Sequence, residues 1–396
     1  MKRWTGIGNT LVNKYIPASG MVIGDEERAN LLKVVEGRDW CRGHYTHEFE
    51  RKLADMMGVK YAHFCNSGSS ANLLAITALT SPLLGKRRIC KGDKVITSAL
   101  AFPTTVNPIL QNGLKPVFVD VEIPTYVPAD HTPPSCKAAI IADTLGNHAP
   151  RMDTRWFIRD LCDALGNDMS DCDMATFSFY PAHHITTGEG GAVLTNDPLL
   201  SKIIVSLRDW GRECWCEPAQ DNACGHRFDG DYDHKYTYSH IGYNLKGNEF
   251  AAAIGVAQLD KYVEFAEKRI WNWAKMRAYF KHHIPKNIIL PEYRAGNGVP
   301  FGFPLILRKP YDRKQFCMAL EKAGIGTRLF FGGNLLRQPA YAELKQGVDY
   351  YIAGTLENTN LIHEQGFWIG CWPGITDEMV DYMVEVIHRE VKCLQP

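Results

Sequence analysis

The chain has 396 residues, which is enough for two domains or for one large enzyme domain with a smaller appendage. Lysine plus arginine and aspartate plus glutamate number 44 each, so the formal net charge of zero gives no reason to expect nucleic acid or an anionic membrane as a partner. The basic start has no apolar core of signal-peptide length, and no stretch approaches the roughly 18 apolar residues of a membrane span. We therefore expect a cytoplasmic enzyme with a small-molecule substrate.

A phosphate-binding turn is one interpretation of residues 61–79. A short apolar strand leads there into residues 67–70 (SGSS), and an Ala- and Leu-rich helix follows at once. Backbone amides at a helix N-terminus, together with small hydroxyls and a glycine, form a cradle for an anion. Serine-rich helix starts are also common as simple caps, so the local pattern leaves both interpretations open.

Four apolar runs further along the chain predict strands, at residues 94–97, 117–121, 138–142 and 156–158. Residues 105–113 are typical of a short connector between the first two. The alternation of such runs with helical patterns indicates βαβ units. It therefore predicts an α/β fold with a parallel or mixed sheet and helices on both faces.

Two of these strands are followed by side chains suited to an aromatic ligand. Phe102 comes after the run at 94–97 and Asp160 after the run at 156–158, so both are expected at the carboxyl edge of the sheet, where α/β proteins bind ligands. Phe102 could stack on a ring, and Asp160 could pair with a cationic ring nitrogen. Core packing for Phe102 and a turn cap for Asp160 are the alternatives.

Residues 178–191 (SFYPAHHITTGEGG) place a histidine pair, His183 and His184, before a glycine-rich turn and contain no lysine. An imidazole has an unperturbed pKa near neutral pH and serves as a general base in many enzymes. Hydrogen bonding within the turn is the alternative role for such a pair.

Three cysteines, Cys214, Cys216 and Cys224, lie in the polar segment 213–226 (ECWCEPAQDNACGH), which is typical of a loop. Under reducing conditions such a cluster favours metal binding or catalysis over disulfides. The nearby His226 leaves zinc open as the metal.

Beyond about residue 265 the sequence predicts a strand at 301–308, a helix at 311–325 and a last amphipathic helix capped by Thr376. Four apolar residues recur on one face of that last helix: Met379, Met383, Ile387 and Val391. We therefore divide the chain into an N-terminal arm (1–25), a large domain (26–265, with a cysteine loop at 212–230) and a small C-terminal α/β domain (266–396).

The stretch 178–191 resembles the segment SFHPxKNxTTGEGG of the DegT/DnrJ/EryC1/StrS sugar aminotransferases, which belong to fold type I of the pyridoxal-phosphate enzymes. Further stretches resemble this family in the same order, among them residues 67–82, 101–108 and 326–341. His183 stands where those enzymes carry their lysine. The resemblance implies the mixed α/β fold of that class, with pyridoxamine or pyridoxal 5'-phosphate bound non-covalently.

A histidine at this position marks the 3-dehydratase branch of the family, which acts on nucleotide-linked 4-keto-6-deoxyhexoses. The resemblance implies that His183 is the base, with Tyr180 and Asp163 close to the cofactor. It also implies cofactor contacts from one set of residues in the same chain: Gly68, Ser69, Phe102, Asp160 and Ser178. Asn244 would reach the phosphate from the other subunit of a homodimer, and Arg337 is a candidate for contact with the sugar or nucleotide.

The clustered cysteines resemble the iron-sulfur branch of these dehydratases, whose pattern is C-x57-C-x-C-x7-C. Cys214, Cys216 and Cys224 reproduce its second part, and Cys162 is implied as the fourth ligand of a 2Fe-2S cluster, which four thiolates suit. Only 51 residues separate Cys162 from Cys214, six fewer than in the pattern. Cys172 is a spare candidate for the fourth ligand.

The iron-sulfur branch implies a CDP-linked 4-keto-6-deoxyglucose as the substrate, on the route to the 3,6-dideoxyhexoses of lipopolysaccharide O-antigens. It also implies a flavin- and ferredoxin-type, NADH-dependent reductase as a partner. Two alternatives stay open. One is a cluster-free dehydratase of the GDP-4-keto-6-deoxymannose type, and the other is a non-catalytic scaffold with the same fold.

Overall fold

The computed structural model describes residues 15–214, 216, 222–292 and 298–393. Its larger sheet contains seven strands from the first half of the chain: β1 (Tyr61–Cys65), β2 (Lys94–Ser98), β3 (Lys115–Val119), β4 (Ala138–Ala142), β5 (Trp156–Asp160), β6 (Met174–Ser178) and β7 (Gly191–Thr195). The four predicted strands are confirmed, although β3 begins and ends two residues earlier than expected. Asp160 is the last residue of β5 and does not follow the strand.

The order of these strands across the sheet is β1-β7-β6-β5-β4-β2-β3. Neighbouring strands are parallel, except that β7 runs antiparallel to both β1 and β6. The carboxyl ends of the six other strands therefore share one edge, where α/β proteins form ligand sites. The expectation of a mixed, mostly parallel sheet is confirmed.

Helices cover both faces of this sheet, as expected. In chain order they are α1 (Asp25–Glu36), α2 (His44–Met57), α3 (Gly68–Leu79), α4 (Pro103–Gln111), α5 (Pro198–Arg208) and α6 (Glu249–Asp260). Phe49 of α2 and Ala175 of β6 belong to the core on one face. Ile76 of α3 and Met174 of β6 belong to the core on the other. Because both faces are buried, consecutive strand residues are apolar and do not alternate with polar ones.

The predicted connector at residues 105–113 is confirmed, since most of this segment lies in α4, the helix that joins the parallel strands β2 and β3. Pro103 occupies the first helical turn, where its missing N–H removes no hydrogen bond. Val106 and Ile109 are three residues apart and are both buried in the cores beside the sheet.

The remaining elements are the long helix α7 (Tyr262–His283), α8 (Arg313–Lys322), α9 (Glu357–Gln365), α10 (Asp377–Cys393), and the strands β8 (Ile288–Ile289), β9 (Gly302–Leu307), β10 (Thr327–Arg328), β11 (Tyr351–Ile352) and β12 (Gly366–Gly370). Four of these strands form a separate antiparallel sheet in the order β10-β12-β9-β8. β11 instead joins the larger sheet, parallel to β3. The predicted strand at 301–308 and the predicted helix at 311–325 correspond to β9 and α8.

The amphipathic pattern of α10 is confirmed. Met383, Ile387 and Val391 are buried in the core of the smaller sheet, and Met379 packs against that core. The amide of Met379 donates a hydrogen bond to Oγ1 of Thr376 at 3.3 Å, as expected of an N-cap.

The helix α7 contributes to the cores of both sheets. Phe265 packs with the larger sheet, whereas Met276 and Phe280 pack with the smaller one. The domain boundary predicted after residue 265 falls inside α7 and stays a prediction.

The described part of the N-terminal arm lies against the smaller sheet. The amide of Ile16 donates to the carbonyl of Gly324 at 2.7 Å, and its carbonyl accepts from the amide of Gly326 at 2.8 Å. Ile16 itself is buried in the core of that sheet. Among the described helices, none combines the length and the apolar character that crossing a bilayer requires.

Candidate active site

A cavity of about 660 Å³ lies at the carboxyl edge of the larger sheet, beside residues of the smaller one. Nine residues that the sequence singles out line this pocket: Gly68, Ser69, Phe102, Asp160, Cys162, Asp163, Ser178, Tyr180 and His183. They come from the start of α3, the segment before α4, the ends of β5 and β6, and the segment after each of those strands. Within the described ranges, no lysine lines the pocket.

The start of α3 lies very close to the end of β6. A Cβ atom added to Gly68 would lie 2.5 Å from Cβ of Ser178 and 3.1 Å from Sγ of Cys162, so a larger residue would have to displace both strand ends. Ser67 caps the helix, since its hydroxyl accepts from the amide of Ser70 at 3.1 Å. The cap interpretation of this turn is therefore confirmed for Ser67. The first amides of α3 point into the same pocket and fit an anion such as a phosphate.

Asp160 is buried at the floor of the pocket and is held in one orientation. Its Oδ2 accepts hydrogen bonds from Nδ2 of Asn72 at 2.9 Å and from Oγ1 of Thr105 at 2.7 Å. Its Oδ1 accepts from the amide of Cys162 at 3.2 Å. Asn72 is fixed in turn by Thr176, whose Oγ1 donates to the Asn72 side-chain oxygen at 2.6 Å. A carboxylate braced in this way can pair with the protonated nitrogen of an aromatic ring.

His183 faces the pocket with a side chain that is largely buried. Its Nδ1 has no hydrogen-bond partner and lies 3.6 Å from Oδ1 of Asp163. Burial, and secondly the charge of Arg269, lowers the pKa of His183 to about 3. The imidazole is therefore neutral at physiological pH and able to accept a proton.

His184 points away from the pocket. Its Nε2 lies 3.0 Å from the carbonyl of Val299 and donates to it, so His184 has a structural role, although its partner is a distant segment and not the turn that the alternative named. Burial, and secondly the charge of Arg269, also lowers the pKa of His184 well below its usual range. The two adjacent histidines thus have different environments.

Asp163 is buried beside Asp160 and His183. Burial, and secondly the charge of Asp160, raises the pKa of Asp163 from 3.8 to about 7. The amide of Leu145 contacts its Oδ2 at 3.4 Å. This carboxyl group therefore changes its protonation state close to physiological pH.

Replacing Asp163 by asparagine should stabilise the cofactor-free protein at high pH. Because the folded state raises the pKa of Asp163 from 3.8 to about 7, its contribution to the free energy of unfolding is complete below about pH 4 and is lost as the pH rises towards 7. The loss amounts to up to about 4 kcal/mol. We expect the advantage of Asp163→Asn in urea unfolding to grow between pH 5 and pH 8. Asp130→Asn, in an exposed loop, is the matched control. An equal advantage at both pH values would contradict the titration of Asp163.

Two aromatic side chains project into the pocket. Phe102 is 55% exposed, so the core-packing alternative does not apply to it. Tyr180 is also half exposed, and its amide contacts Oγ of Ser178 at 3.4 Å. Both rings are available to a planar ligand.

Other residues of the pocket escaped the sequence analysis. Asn72 and Thr105 fix Asp160, whereas Ser19, Glu189 and Arg328 line the walls. Asn72 gave one usable signal, because it is a polar residue on a helix that is otherwise rich in Ala and Leu. The others come from segments that only the fold brings together.

Two predicted site residues lie outside the pocket of their own chain. Asn244 is exposed, and its side-chain oxygen accepts from Nζ of Lys246 at 2.6 Å. Arg337 forms a partly exposed ion pair with Glu364 at 2.8 Å and does not line this pocket, and its contact with the sugar or nucleotide stays a prediction.

The cysteine loop does bring potential metal ligands together. Sγ of Cys214, Cys216 and Cys224 and a ring nitrogen of His234 all lie within 4.8 Å of one another. Thiols and an imidazole in this arrangement fit a metal centre. Cys162 is not in this group, contrary to the predicted ligand set, because it lies in the pocket beneath Gly68. Burial, and secondly the charge of Asp160, raises the pKa of the Cys162 thiol well above its usual range.

The two other candidate ligands lie elsewhere. His226 pairs with Asp229, and the thiol of Cys172 donates to the carbonyl of Met169 at 3.3 Å. Neither belongs to the group of potential ligands in the described part of the chain.

The fold and the pocket define the chain as a member of the fold type I class of pyridoxal-phosphate enzymes. Residues 21–388 match the profile of the DegT/DnrJ/EryC1/StrS aminotransferase family, and the chain belongs to this family. It is 46% identical to the lipopolysaccharide biosynthesis protein RfbH of Salmonella typhimurium, over 93% of this chain and 90% of that protein. It is 43% identical to the dTDP-4-dehydro-2,6-dideoxy-D-glucose 3-dehydratase of Saccharopolyspora spinosa, over 95% of this chain and 86% of that enzyme.

A solved structure has the same fold. The GDP-4-keto-6-deoxy-D-mannose 3-dehydratase of Escherichia coli, with bound hydrated pyridoxal phosphate, superposes with a TM-score of 0.84 at 28% identity, covering 95% of this chain and all of that one. The expected fold class and the expectation of a pyridoxal-phosphate-dependent enzyme with sugar 3-dehydratases among its relatives are confirmed.

Proposed function

We propose that this protein is a pyridoxamine-phosphate-dependent 3-dehydratase of nucleotide-linked 4-keto-6-deoxyhexoses. The observation that carries the proposal is the pocket itself, in which the neutral imidazole of His183 has a free Nδ1 and no described lining residue is a lysine. A covalent anchor for an aldehyde cofactor is therefore missing from the described lining, whereas a proton acceptor is present. The names of the similar dehydratases support the same reaction class.

The pocket contains residues suited to the phosphate, the ring nitrogen and the ring face of the cofactor. Gly68, Ser69 and Ser178 fit the phosphate group at the start of α3. Asp160 fits the ring nitrogen, and Phe102 fits the ring face. When bound, pyridoxamine phosphate supplies an amine that reacts with a ketone and a ring that withdraws electrons. His183 would accept the proton that must leave so that the C3 hydroxyl can depart, with Asp163 and Tyr180 beside it.

We further propose that the cysteine loop holds a 2Fe-2S cluster and that the C3 oxygen is removed reductively. Replacement of a C3 hydroxyl by hydrogen takes up two electrons and two protons and releases water, so an electron donor is required. A flavin- and ferredoxin-type, NADH-dependent reductase would supply the electrons to the cluster. The gathered thiols of Cys214, Cys216 and Cys224 support this proposal.

CDP-4-keto-6-deoxyglucose is the substrate that we propose, on the sequence resemblance described above. The test is anaerobic incubation of the reconstituted protein with pyridoxamine phosphate, dithionite and the CDP-, dTDP- and GDP-linked 4-keto-6-deoxyhexoses in parallel. We expect mass spectrometry to show loss of the C3 oxygen, fastest with the CDP sugar. No loss from any of the three sugars would refute the proposed function.

A cluster-free dehydration is the second candidate function, and the similarity to the Escherichia coli GDP-linked enzyme favours it. Repeating the incubation without dithionite separates the two, since a cluster-free reaction yields product without dithionite or a reductase. A protein that binds the sugar and cofactor but never removes the C3 oxygen would instead be a scaffold.

We propose that two copies form a homodimer in which Asn244 completes the pocket of the partner subunit. The surface around Asn244 is unusually apolar: Ile241 is 97% exposed, and Tyr236 and Tyr238 are half exposed. Trp210 is also partly exposed, with the ammonium group of Lys246 3.3 Å from its ring centroid. Exposed patches of this kind mark protein interfaces.

Mixed dimers provide a test of this arrangement. We expect His183→Asn and Asn244→Ala chains to be weakly active alone and to regain activity when co-expressed. In a mixed dimer one pocket would carry both substitutions, and the other would be intact. About a quarter of the wild-type activity should return if the chains pair at random. If Asn244 acted in its own chain, every pocket would carry a defect and activity would stay low.

A further inference from the structure

The cysteine loop (212–230) and the segment directly after it, which carries His234, contribute four donor atoms in a compact arrangement. Nε2 of His234 lies 3.1 Å from Sγ of Cys224, and both atoms lie within 4.8 Å of the sulfurs of Cys214 and Cys216. Ligands of one tetrahedral metal ion, at about 2.0 to 2.3 Å from it, are about 3.3 to 3.8 Å apart. The four donors therefore need only small movements to surround a metal.

Backbone amides already face two of the sulfurs. The amide of Cys216 donates to Sγ of Cys214 at 3.4 Å, and the amide of Cys224 donates to Sγ of Cys216 at 3.3 Å. Such hydrogen bonds stabilise the negative charge of a metal-bound thiolate and influence the reduction potential of a cluster. The sulfurs of Cys214 and Cys216 thus have the amide donors that commonly accompany metal-bound thiolates.

His234 is held in place by contacts with the cysteine loop. Its amide donates to the carbonyl of Arg227 at 3.2 Å. The neighbouring Asp233 accepts from Nε of Arg227 at 2.8 Å and, through Oδ1, from the amide of Lys235 at 3.0 Å. These bonds tie the segment after Cys224 to the turn that carries His234. The position of the His234 imidazole is consequently set by hydrogen bonds between its own segment and Arg227 of the cysteine loop.

Cys162 has a different location. Its sulfur lies 3.1 Å from the position that a Cβ atom on Gly68 would occupy, within the wall of the cofactor pocket. It does not belong to the compact group of donors.

We propose that His234, and not Cys162, completes a thiophilic metal centre whose other ligands are Cys214, Cys216 and Cys224. The inference rests on the proposal that the loop carries a metal, but it is independent of the substrate. It also accounts for the short separation of 51 residues between Cys162 and Cys214, because a ligand set contained in the loop and the segment directly after it sets no requirement on that distance. Exchange of a thiolate for a neutral imidazole raises the reduction potential of an iron-sulfur cluster.

The test uses the full-length protein reconstituted anaerobically with iron and sulfide, and separately with zinc. Metal and sulfide contents are measured for Cys162→Ser, His234→Ala and His234→Cys, with His226→Ala as the matched control from the exposed part of the same loop. The dithionite-reduced proteins are then compared by pulsed paramagnetic resonance, which detects a coordinated nitrogen through its hyperfine coupling.

We expect Cys162→Ser and His226→Ala to keep the wild-type metal content and the nitrogen coupling. His234→Ala should lose more than half of the metal. His234→Cys should keep the metal, lose the coupling and have a lower reduction potential. Loss of metal from Cys162→Ser with retention in His234→Ala would overturn the inference, as would failure of the wild-type protein to bind either metal.

The outcome with zinc distinguishes this inference from the proposed function. The wild-type protein could bind zinc but no iron and sulfide, with the zinc lost from His234→Ala. That result would support His234 as the fourth ligand and would refute the proposed reductive removal of the C3 oxygen. If iron and sulfide bind but are lost from Cys162→Ser, the result would support the reductive removal of the C3 oxygen and would refute His234 as the fourth ligand.

Discussion

The His183→Asn variant should lose about a thousandfold in the rate of C3 dehydration. Asparagine is polar and similar in size, but it cannot accept a proton, and a positioned general base contributes about 10² to 10⁴ to a rate. The low pKa of His183, about 3, means that the wild-type imidazole is in its basic form throughout the physiological range. The measurement is the initial rate of oxygen loss at saturating pyridoxamine phosphate.

Cofactor binding separates a lost base from a damaged pocket. We expect His183→Asn to bind pyridoxamine phosphate within about threefold of the wild-type affinity, because the phosphate site at Gly68 and the carboxylate of Asp160 are unchanged. His282→Asn, at an exposed position of α7, serves as the matched control and should keep the full rate. A His183→Asn rate within tenfold of the wild type would assign the base to another residue.

The Asp160→Asn variant should be slower by about 10² to 10³. A carboxylate beside the ring nitrogen keeps that nitrogen protonated, and the protonated ring withdraws electrons better than the neutral one. Removal of one preorganised electrostatic group from an active site typically costs a factor of this size. Asn72 and Thr105 remain to hold the new amide, so the pocket should keep its shape. The rate and the absorption spectrum of bound pyridoxamine phosphate are the two measurements.

Asp130→Asn, in an exposed loop, is the control for a carboxylate-to-amide change. We expect it to alter neither the rate nor the spectrum. An Asp160→Asn enzyme with an unshifted spectrum and a rate within fivefold of the wild type would show that the carboxylate has no role at the ring nitrogen.

The local signals in the sequence were sufficient for part of the secondary structure. The strands β2, β4 and β5 and the face of α10 were predicted correctly, because buried strands and amphipathic helices produce short-range apolar patterns. Residues 105–113 were predicted only as a connector between two strands, and the structure adds that this connector is the helix α4, whose Val106 and Ile109 are buried against distant segments.

The candidate site was partly predictable for the same reason. Gly68 and His183 follow strands, and Asp160 ends one, and the carboxyl ends of these strands meet at one edge, so the proximity of the three residues follows from the parallel order. Arg328 and Ser19 reach the same pocket from the smaller sheet and the N-terminal arm, and no local pattern signals such contacts.

By itself, the sequence determined the mixed α/β class, the pocket residues that follow the strands and the replacement of a lysine by His183. These properties depend on which residues stand next to one another along the chain. Only the tertiary structure decided that His184 bonds to the distant carbonyl of Val299, that Asp163 lies where burial raises its pKa, and that the three loop cysteines meet His234 while Cys162 lies apart. Burial and the path of a loop depend on contacts between distant segments, which the spacing of residues does not specify.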